Sequence, residues 1–248
     1  MVKKTIKKWL EALLRTRGYE LKEIGTPLRG FEGCLAYAKS RGLSPNTVFD
    51  VGVGYGTPWL YEAFPRGKLV LFEPLDLFNA ALEDLAQSYN ADVHRIALGR
   101  ESGSAQIQIN VGHPTSSSLL RMDSTFADFA AKVQKEHCFR QQDVRVETLD
   151  GLNSYEPPYL LKLDVEGSEL AVLAGAQKTL EKTDFLLLEM SVMHRLTNEP
   201  SFAEMIRFLD DCGFELFDIP SLSQTHKTEQ LIYLDAAFVP KSSKLWPS

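Results

Sequence analysis

With 248 residues, 44% of them apolar, the chain can bury the core of one large domain or of two small ones. A formal net charge of −6 argues against the broad basic face that nucleic-acid binding needs, so no nucleic-acid partner is expected. Cys34, Cys138 and Cys212 are widely spaced and form no Cys-x-x-Cys or Cys/His cluster, so neither a disulfide framework nor a zinc site is expected, and reduced thiols fit a cytoplasmic setting.

No apolar run is long enough to span a bilayer, so no transmembrane segment is expected. Residues 1–17 begin basic like a signal peptide, but Glu11 and Arg15 interrupt the apolar stretch and no small-residue cleavage site follows. Ile6, Leu10, Leu13 and Leu14 fall at helical spacing, which predicts a short amphipathic helix docked on the domain; contact with an acidic membrane surface or a partner is the alternative. A second helix runs from about Gly30 to Arg41, and Gly42 with Ser44-Pro45-Asn46 breaks the chain. We therefore divide it into an N-terminal helical segment, 1–43, and one α/β domain, 44–248.

Thr47 to Val51 reads as a buried strand, followed by glycines at 52, 54 and 56 and a short helix that Thr57-Pro58 opens. Lys68 to Glu73 is a second strand, Leu75 to about Tyr89 a helix, and Val93 to Leu98 a third strand. Such alternation implies parallel pairing with right-handed crossovers. It resumes with Tyr159 to Asp164, a helix from about Ser168 to Leu180, and a strand from Asp184 to Glu189. Ser201-Phe-Ala-Glu204 is a capping box that opens a helix closed by Gly213. Phe214 to Ile219 and Leu231 to Val239 are joined by a polar loop without a helix, which predicts an antiparallel hairpin. The expected fold is a Rossmann-like class I α/β arrangement: a mostly parallel seven-stranded sheet ending in a C-terminal antiparallel hairpin. Residues 101–150 break the alternation with strands at Ser104 to Val111 and Val144 to Thr148 and a helix from Met122 to about His137, an elaboration on the same domain.

Four constellations carry candidate chemistry. In Asp50-Val-Gly52-Val-Gly54-Tyr-Gly56 the glycines let the backbone turn and approach a ligand at a strand's carboxyl end. The spacing is Gly-x-Gly-x-Gly, with Thr at 57 where the dinucleotide fingerprint has its third glycine. Glu73, 21 residues beyond Gly52 and followed by Pro74, can accept both ribose hydroxyls of an adenosine cofactor. NAD and S-adenosylmethionine would be served equally by that pair; the loop spacing and the terminal hairpin favour S-adenosylmethionine. Asp164 and Glu166 end the fourth parallel strand, where acids can bind a cation, hold the methionine amino group or orient a hydroxyl. Lys162, inside the same apolar strand, reads as snorkelling or salt-bridged. Glu189 ends the fifth strand; it is a candidate catalytic residue, and with Asp164 it offers carboxylate oxygens to a divalent metal. His194, five residues on, can take a proton from a hydroxyl, or stand as a loop histidine in solvent.

Taken in order, Val48 to Gly56, Phe72-Glu-Pro74, Ile96 to Gly99, Val146 to Asp150, Leu161 to Glu169, Leu173 to Ala176 and Leu187 to Glu189 resemble the FkbM family of methyltransferases. The resemblance covers roughly residues 44–220, and Leu161-Lys-Leu-Asp-Val-Glu-Gly167 is its most telling piece. It implies S-adenosylmethionine as methyl donor and an oxygen as acceptor, on a saccharide, a glycosylated natural product or a polyketide. By position it implies that Gly52, Gly54 and Gly56 hold the cofactor, Glu73 its ribose, and that Ala97 lies near the adenine. It also implies that Ser116 to Leu119 sits over the pocket. The chain departs from the family pattern from Ser221 onward and around Ala127 to Arg140, where acceptor recognition would vary. A small-molecule or glycan acceptor is thus the expected partner, and a homo-oligomer is compatible with the sequence. Two other readings share the glycine loop and Glu73: an NAD-dependent oxidoreductase, and a non-catalytic nucleotide-binding scaffold.

Overall fold

Strands buried on both faces read as unbroken apolar runs, and two such runs form the centre of the sheet. A computed structural model describes residues 29–110, 112–123, 139–152, 154–224 and 229–246, together with 9–10, 13–14 and 16. In it β1 (Thr47–Val51) and β7 (Tyr159–Leu163) are buried at every position. They pair in parallel, and β2 (Lys68–Phe72), β3 (Asp92–His94) and β8 (Thr183–Ser191) extend the parallel sheet outward. The hairpin of β9 (Phe214–Gln224) and β10 (Leu231–Pro240) closes one edge, with β10 antiparallel to both neighbours. The resulting order is β3-β2-β1-β7-β8-β10-β9, the seven-stranded class I arrangement expected from the sequence.

Strand residues alternate between two apolar layers, as period-2 geometry demands. Phe49, Val51, Leu161, Leu163, Leu186 and Leu188 face α5 (Glu169–Ala174), α6 (Gln177–Leu180) and α7 (Phe202–Asp211), meeting Val172, Leu180 and Leu209. Val48, Leu69, Leu71, Leu160, Phe185 and Leu187 face α1 (Gly30–Ser40), α2 (Pro58–Ala63) and α3 (Asn79–Tyr89) through Leu35, Leu60 and Leu82. Each fully buried leucine contributes roughly 1.5–3 kcal/mol, so the two layers fix the strand ends from which the site is built. The capping box forms as expected: the Glu204 N–H donates to Ser201 Oγ at 3.2 Å, and the Ser201 N–H donates back to Glu204 at 2.8 Å.

Two expectations need correction. The apolar run from Val93 to Leu98 is not one strand. Its first part is β3, beside β2, whereas β4 (Ala97–Leu98) turns away to pair with β6 (Phe139–Glu147). With β5 (Gly103–Asn110), β4 and β6 make a small three-stranded sheet with its own apolar cluster of Phe78, Ala97, Ile107, Ile109, Val144 and Val146. The helix from Ser168 to Leu180 is likewise interrupted between α5 and α6, at Gly175, where a Cβ would lie 2.1 Å from the Gly99 carbonyl oxygen. Gly175 therefore marks where the chain of β4 presses on the helix layer. Most of the N-terminal amphipathic helix lies outside the described residues; of those described, Leu10 and Leu13 are exposed and Leu14 is half-buried. Most of the helix expected between Met122 and His137 lies outside the described residues. A short helix, α4 (Leu149–Leu152), leads from β6 back toward β7.

Candidate active site

The carboxyl ends of β1, β2, β7 and β8 open into one cleft of about 430 Å³, within the size range of small-molecule sites. Its floor is the loop after β1. Gly52 has φ +81°, and a Cβ there would stand 1.8 Å from the Asp164 carbonyl oxygen. This glycine is thus demanded by the protein's own chain crossing beneath the loop. Gly54, at φ +54°, turns its N–H toward the Glu73 carboxylate at 2.9 Å. The Leu75 N–H reaches the other Glu73 oxygen, also at 2.9 Å. Burial raises the Glu73 pKa, and these two N–H bonds oppose the rise. An ionised carboxylate has about four acceptor sites, so both oxygens retain lone pairs for hydroxyl donors. Pro74, Ala97, Ile107, Phe78 and Leu119 continue the wall beyond Glu73, making a largely apolar slot beside a hydroxyl acceptor.

Asp50 does not line the cleft. It is fully buried, takes a 2.5 Å hydrogen bond from the Tyr61 hydroxyl, and pairs with Lys162 Nζ at 3.0 Å. Lys162 reaches on to Asp164 at 3.4 Å, so it is the salt-bridged lysine expected from the sequence. Burial alone would lower the Lys162 pKa; Asp50 and Asp164 outweigh it and hold the ammonium charged. Burial and the Asp50 charge push the Tyr61 phenol well above its ordinary range. Asp50 thus acts through Lys162, which fixes the cleft face of Asp164.

The far end of the cleft is acidic. Asp164, Glu166 and Glu189 each bring a carboxylate oxygen within 4.8 Å of the others. Arg195 enters this group, bonding Glu189 at 2.8 Å and Glu166 at 3.2 Å, with its guanidinium 4.9 Å from the centre of the Tyr233 ring. Burial pushes Glu166 up to about 7, against the pull of Arg195, and raises Glu189 well above the ordinary carboxylate range with help from Glu166 and Asp164. Glu169 is pushed up to about 8 by burial although it accepts the Val165 and Gly167 N–H groups. Arg195 thus supplies positive charge to Glu166 and Glu189, while Lys162 supplies it to Asp164. Above them, Ser118 pairs with Gln108 of β5 and its hydroxyl donates to the Glu166 carbonyl at 2.6 Å, which pins the segment carrying Ser117 and Leu119 against the cleft.

Of the residues singled out in the sequence, Gly52, Gly54, Gly56, Glu73, Pro74, Ala97, Asp164 and Glu189 line the cleft. His194 does not: it is exposed and lies toward Glu204 at the start of α7. Its neighbour Arg195 is the residue that turns inward. Asp235 and Tyr233 of β10 and Ser221 of β9 also line the cleft, and sequence reading passed over all three. An acid inside the apolar run from Leu231 to Val239 was the available signal for Asp235, the same signal that Lys162 gave in β7.

A family model described as the methyltransferase FkbM domain matches residues 50–216, from the first strand end to the start of the hairpin. The chain belongs to this family. Membership decides for methyl transfer over hydride transfer, and the reaction class is methylation with S-adenosylmethionine as donor. The FkbM chain is also similar to a curated protein named "Methyltransferase 1" from Beauveria bassiana strain ARSEF 2860. The two are 25% identical over 181 residues, covering 67% of this chain and 71% of that protein. Among solved structures it is similar to the magnesium protoporphyrin IX methyltransferase of Synechocystis PCC 6803 with bound S-adenosylmethionine. That match has 11% identity, covers 96% of each chain and has a TM-score of 0.43. The precorrin-6y C5,15-methyltransferase of Geobacter metallireducens GS-15 matches at 12% identity over 89% of this chain and 100% of that one, with a TM-score of 0.40.

Proposed function

We propose that this chain methylates a hydroxyl oxygen of a neutral, hydroxyl-rich small molecule, a saccharide or a glycosylated or polyketide compound. The observation that carries the reading is the division of the cleft into a donor half and an acceptor half of different chemistry. In the donor half, Glu73 with the Gly52–Gly56 loop and the apolar wall around Ala97 fit a ribose and a flat base. Asp164, paired with Lys162 at 3.4 Å and partly open to the cleft, can accept from an ammonium group. When bound, S-adenosylmethionine supplies a methyl group already activated on sulfonium sulfur, so the protein's task is chiefly alignment. In the acceptor half, Phe31 stacks on Trp59 with ring centroids 4.5 Å apart, and both line the cleft, as does Tyr233. Aromatic faces beside carboxylates suit a ring that is apolar on its faces and hydroxylated at its edge. The cleft's carboxylates disfavour anionic acceptors such as phosphorylated sugars.

Titration calorimetry with S-adenosylmethionine on the wild type and on Glu73→Ala tests the donor half. Binding to the wild type with at least a tenfold loss in the variant is expected; no binding to the wild type overturns the reading. Mass spectrometry of products from neutral glycosides tests the acceptor, with methylation at nitrogen or carbon as the contrary result. The free thiols Cys34 and Cys212 support a reducing, cytoplasmic setting.

A further inference from the structure

Five carboxylates line the cleft: Glu73, Asp164, Glu166, Glu189 and Asp235. Four are engaged. Glu73 accepts an N–H on each oxygen, Asp164 is paired with Lys162, and Glu166 and Glu189 are both bonded to Arg195. Asp235 takes part in none of the ion pairs among the described residues; its bonded neighbour is the Ser221 side chain. It stands in the middle of β10, in register with Glu189 of β8 on one side and Ser221 of β9 on the other. Tyr233, two residues earlier, shares its face of the strand. Ser221, Tyr233 and Asp235 all lie beyond residue 216, where the family match ends.

Resting on the hydroxyl-methylation reading above, we propose that Asp235 is the carboxylate that takes the acceptor's proton, with Ser221 and Tyr233 holding the acceptor beside it. In the balanced step, the acceptor oxygen forms a bond to the methyl carbon and the donor's carbon–sulfur bond breaks, leaving its electron pair on sulfur. The hydroxyl proton moves to a carboxylate oxygen of Asp235 and then to solvent. A base works best when its pKa approaches the operating pH. Asp235 is pushed up to about 6, first by burial and then by Asp164, with the Ser221 hydrogen bond and Lys162 opposing. The groups facing it are Lys162 and Asp164 from β7, Glu189 from β8, Ser221 from β9 and Tyr233 from its own strand.

Asp235→Asn keeps the shape and removes the base; Asp235→Glu keeps the base and guards against a variant that fails to fold. With methyl glycosides as acceptors, the Asn variant should lose on the order of 10²–10⁴-fold in kcat and the acid limb of the pH profile near 6. Its affinity for S-adenosylhomocysteine, measured by calorimetry, should stay within about twofold, since uniform donor binding is untouched. The Glu variant should recover part of the rate. A second readout needs no acceptor. Because the folded pKa lies above the unfolded one, ionisation of Asp235 opposes folding as pH rises through about 6. The Asn variant should therefore melt higher than the wild type at about pH 8, with the gap shrinking toward about pH 5. A wild-type rate in the Asn variant, a tenfold loss of S-adenosylhomocysteine affinity, or a melting gap that does not grow with pH overturns the proposal. A wild type that binds no S-adenosylmethionine overturns the methyl-transfer reading instead.

Discussion

Replacing Arg195 by methionine keeps the length of the side chain and removes its charge from the most crowded group of acids in the protein. The arginine side chain is 12% exposed and bonds Glu189, itself 9% exposed, at 2.8 Å and Glu166 at 3.2 Å. Glu199, 1% exposed, lies 3.9 Å away. Breaking a buried pair by deleting one partner costs about 3–5 kcal/mol, because the remaining charge is buried and uncompensated. Here two acids are bonded directly, so the upper part of that range applies when both are ionised. The cost must depend on pH. Arg195 holds down the Glu166 and Glu189 pKa values, which burial raises, Glu166 to about 7. Without it both rise further, and a raised folded pKa means stability that is lost as pH increases through that value. The gap between wild type and Arg195→Met should thus widen as pH rises through neutrality and shrink toward acid pH, by roughly 1.4 kcal/mol per pH unit for each extra proton the variant holds. Urea denaturation followed by circular dichroism at several pH values measures it. A loss below about 1 kcal/mol at high pH, or one of equal size at low pH, refutes the claim that Arg195 is the counter-charge of this cluster.

Two further substitutions separate loop geometry from chemistry. Gly52→Ala places a Cβ 1.8 Å from the Asp164 carbonyl oxygen at φ +81°; the variant should unfold at much lower temperature or fail to accumulate, and thermal melting checks this. His194→Ala should leave turnover within about twofold of the wild type, as substitutions away from packed or bonded groups usually do, because His194 is exposed and turned toward Glu204. A large fall in kcat for His194→Ala would restore it as a proton acceptor.

The parallel sheet was legible because burial on both faces demands continuous apolar runs, and β1, β2, β7 and β8 carry them. Gly54 and Glu73 were legible as a pair, since the carboxylate that lines the cleft also anchors the loop through the Gly54 N–H at 2.9 Å. Less could be read where one apolar run serves two sheets. Val93 to Leu98 carries no turn signal at Arg95 and Ile96, yet the chain changes partners there because Ala97 and Leu98 pair with Val146 and Glu147 far along the sequence. The inward turn of Arg195 depends on meeting Glu166 from another strand, and nothing local to 191–199 distinguishes it from His194. Asp50 misleads for a related reason. An acid before a glycine loop looks like a ligand contact, and only the meeting of β1 with β7 and α2 reveals Lys162 and Tyr61 as its partners.

The hairpin has a consequence for how such an enzyme can be rebuilt. The residues assigned to the donor come from the parallel strands, the loops that follow them and the small second sheet, whereas Ser221, Tyr233 and Asp235 come from β9 and β10 at the sheet's outer edge. Within the sheet β9 borders only β10, though its Phe217 stacks on Tyr37 of α1, and β10 meets the rest of the sheet through its ladder with Leu186–Ser191. On the acceptor role proposed above, exchanging residues 214–240 for the hairpin of a relative, with that ladder's register kept, should change what is methylated and leave donor binding in place. Phe214, Leu234, Ala236 and Phe238 of this hairpin are part of the buried core, so such an exchange must keep them while varying Ser221, Tyr233 and Asp235.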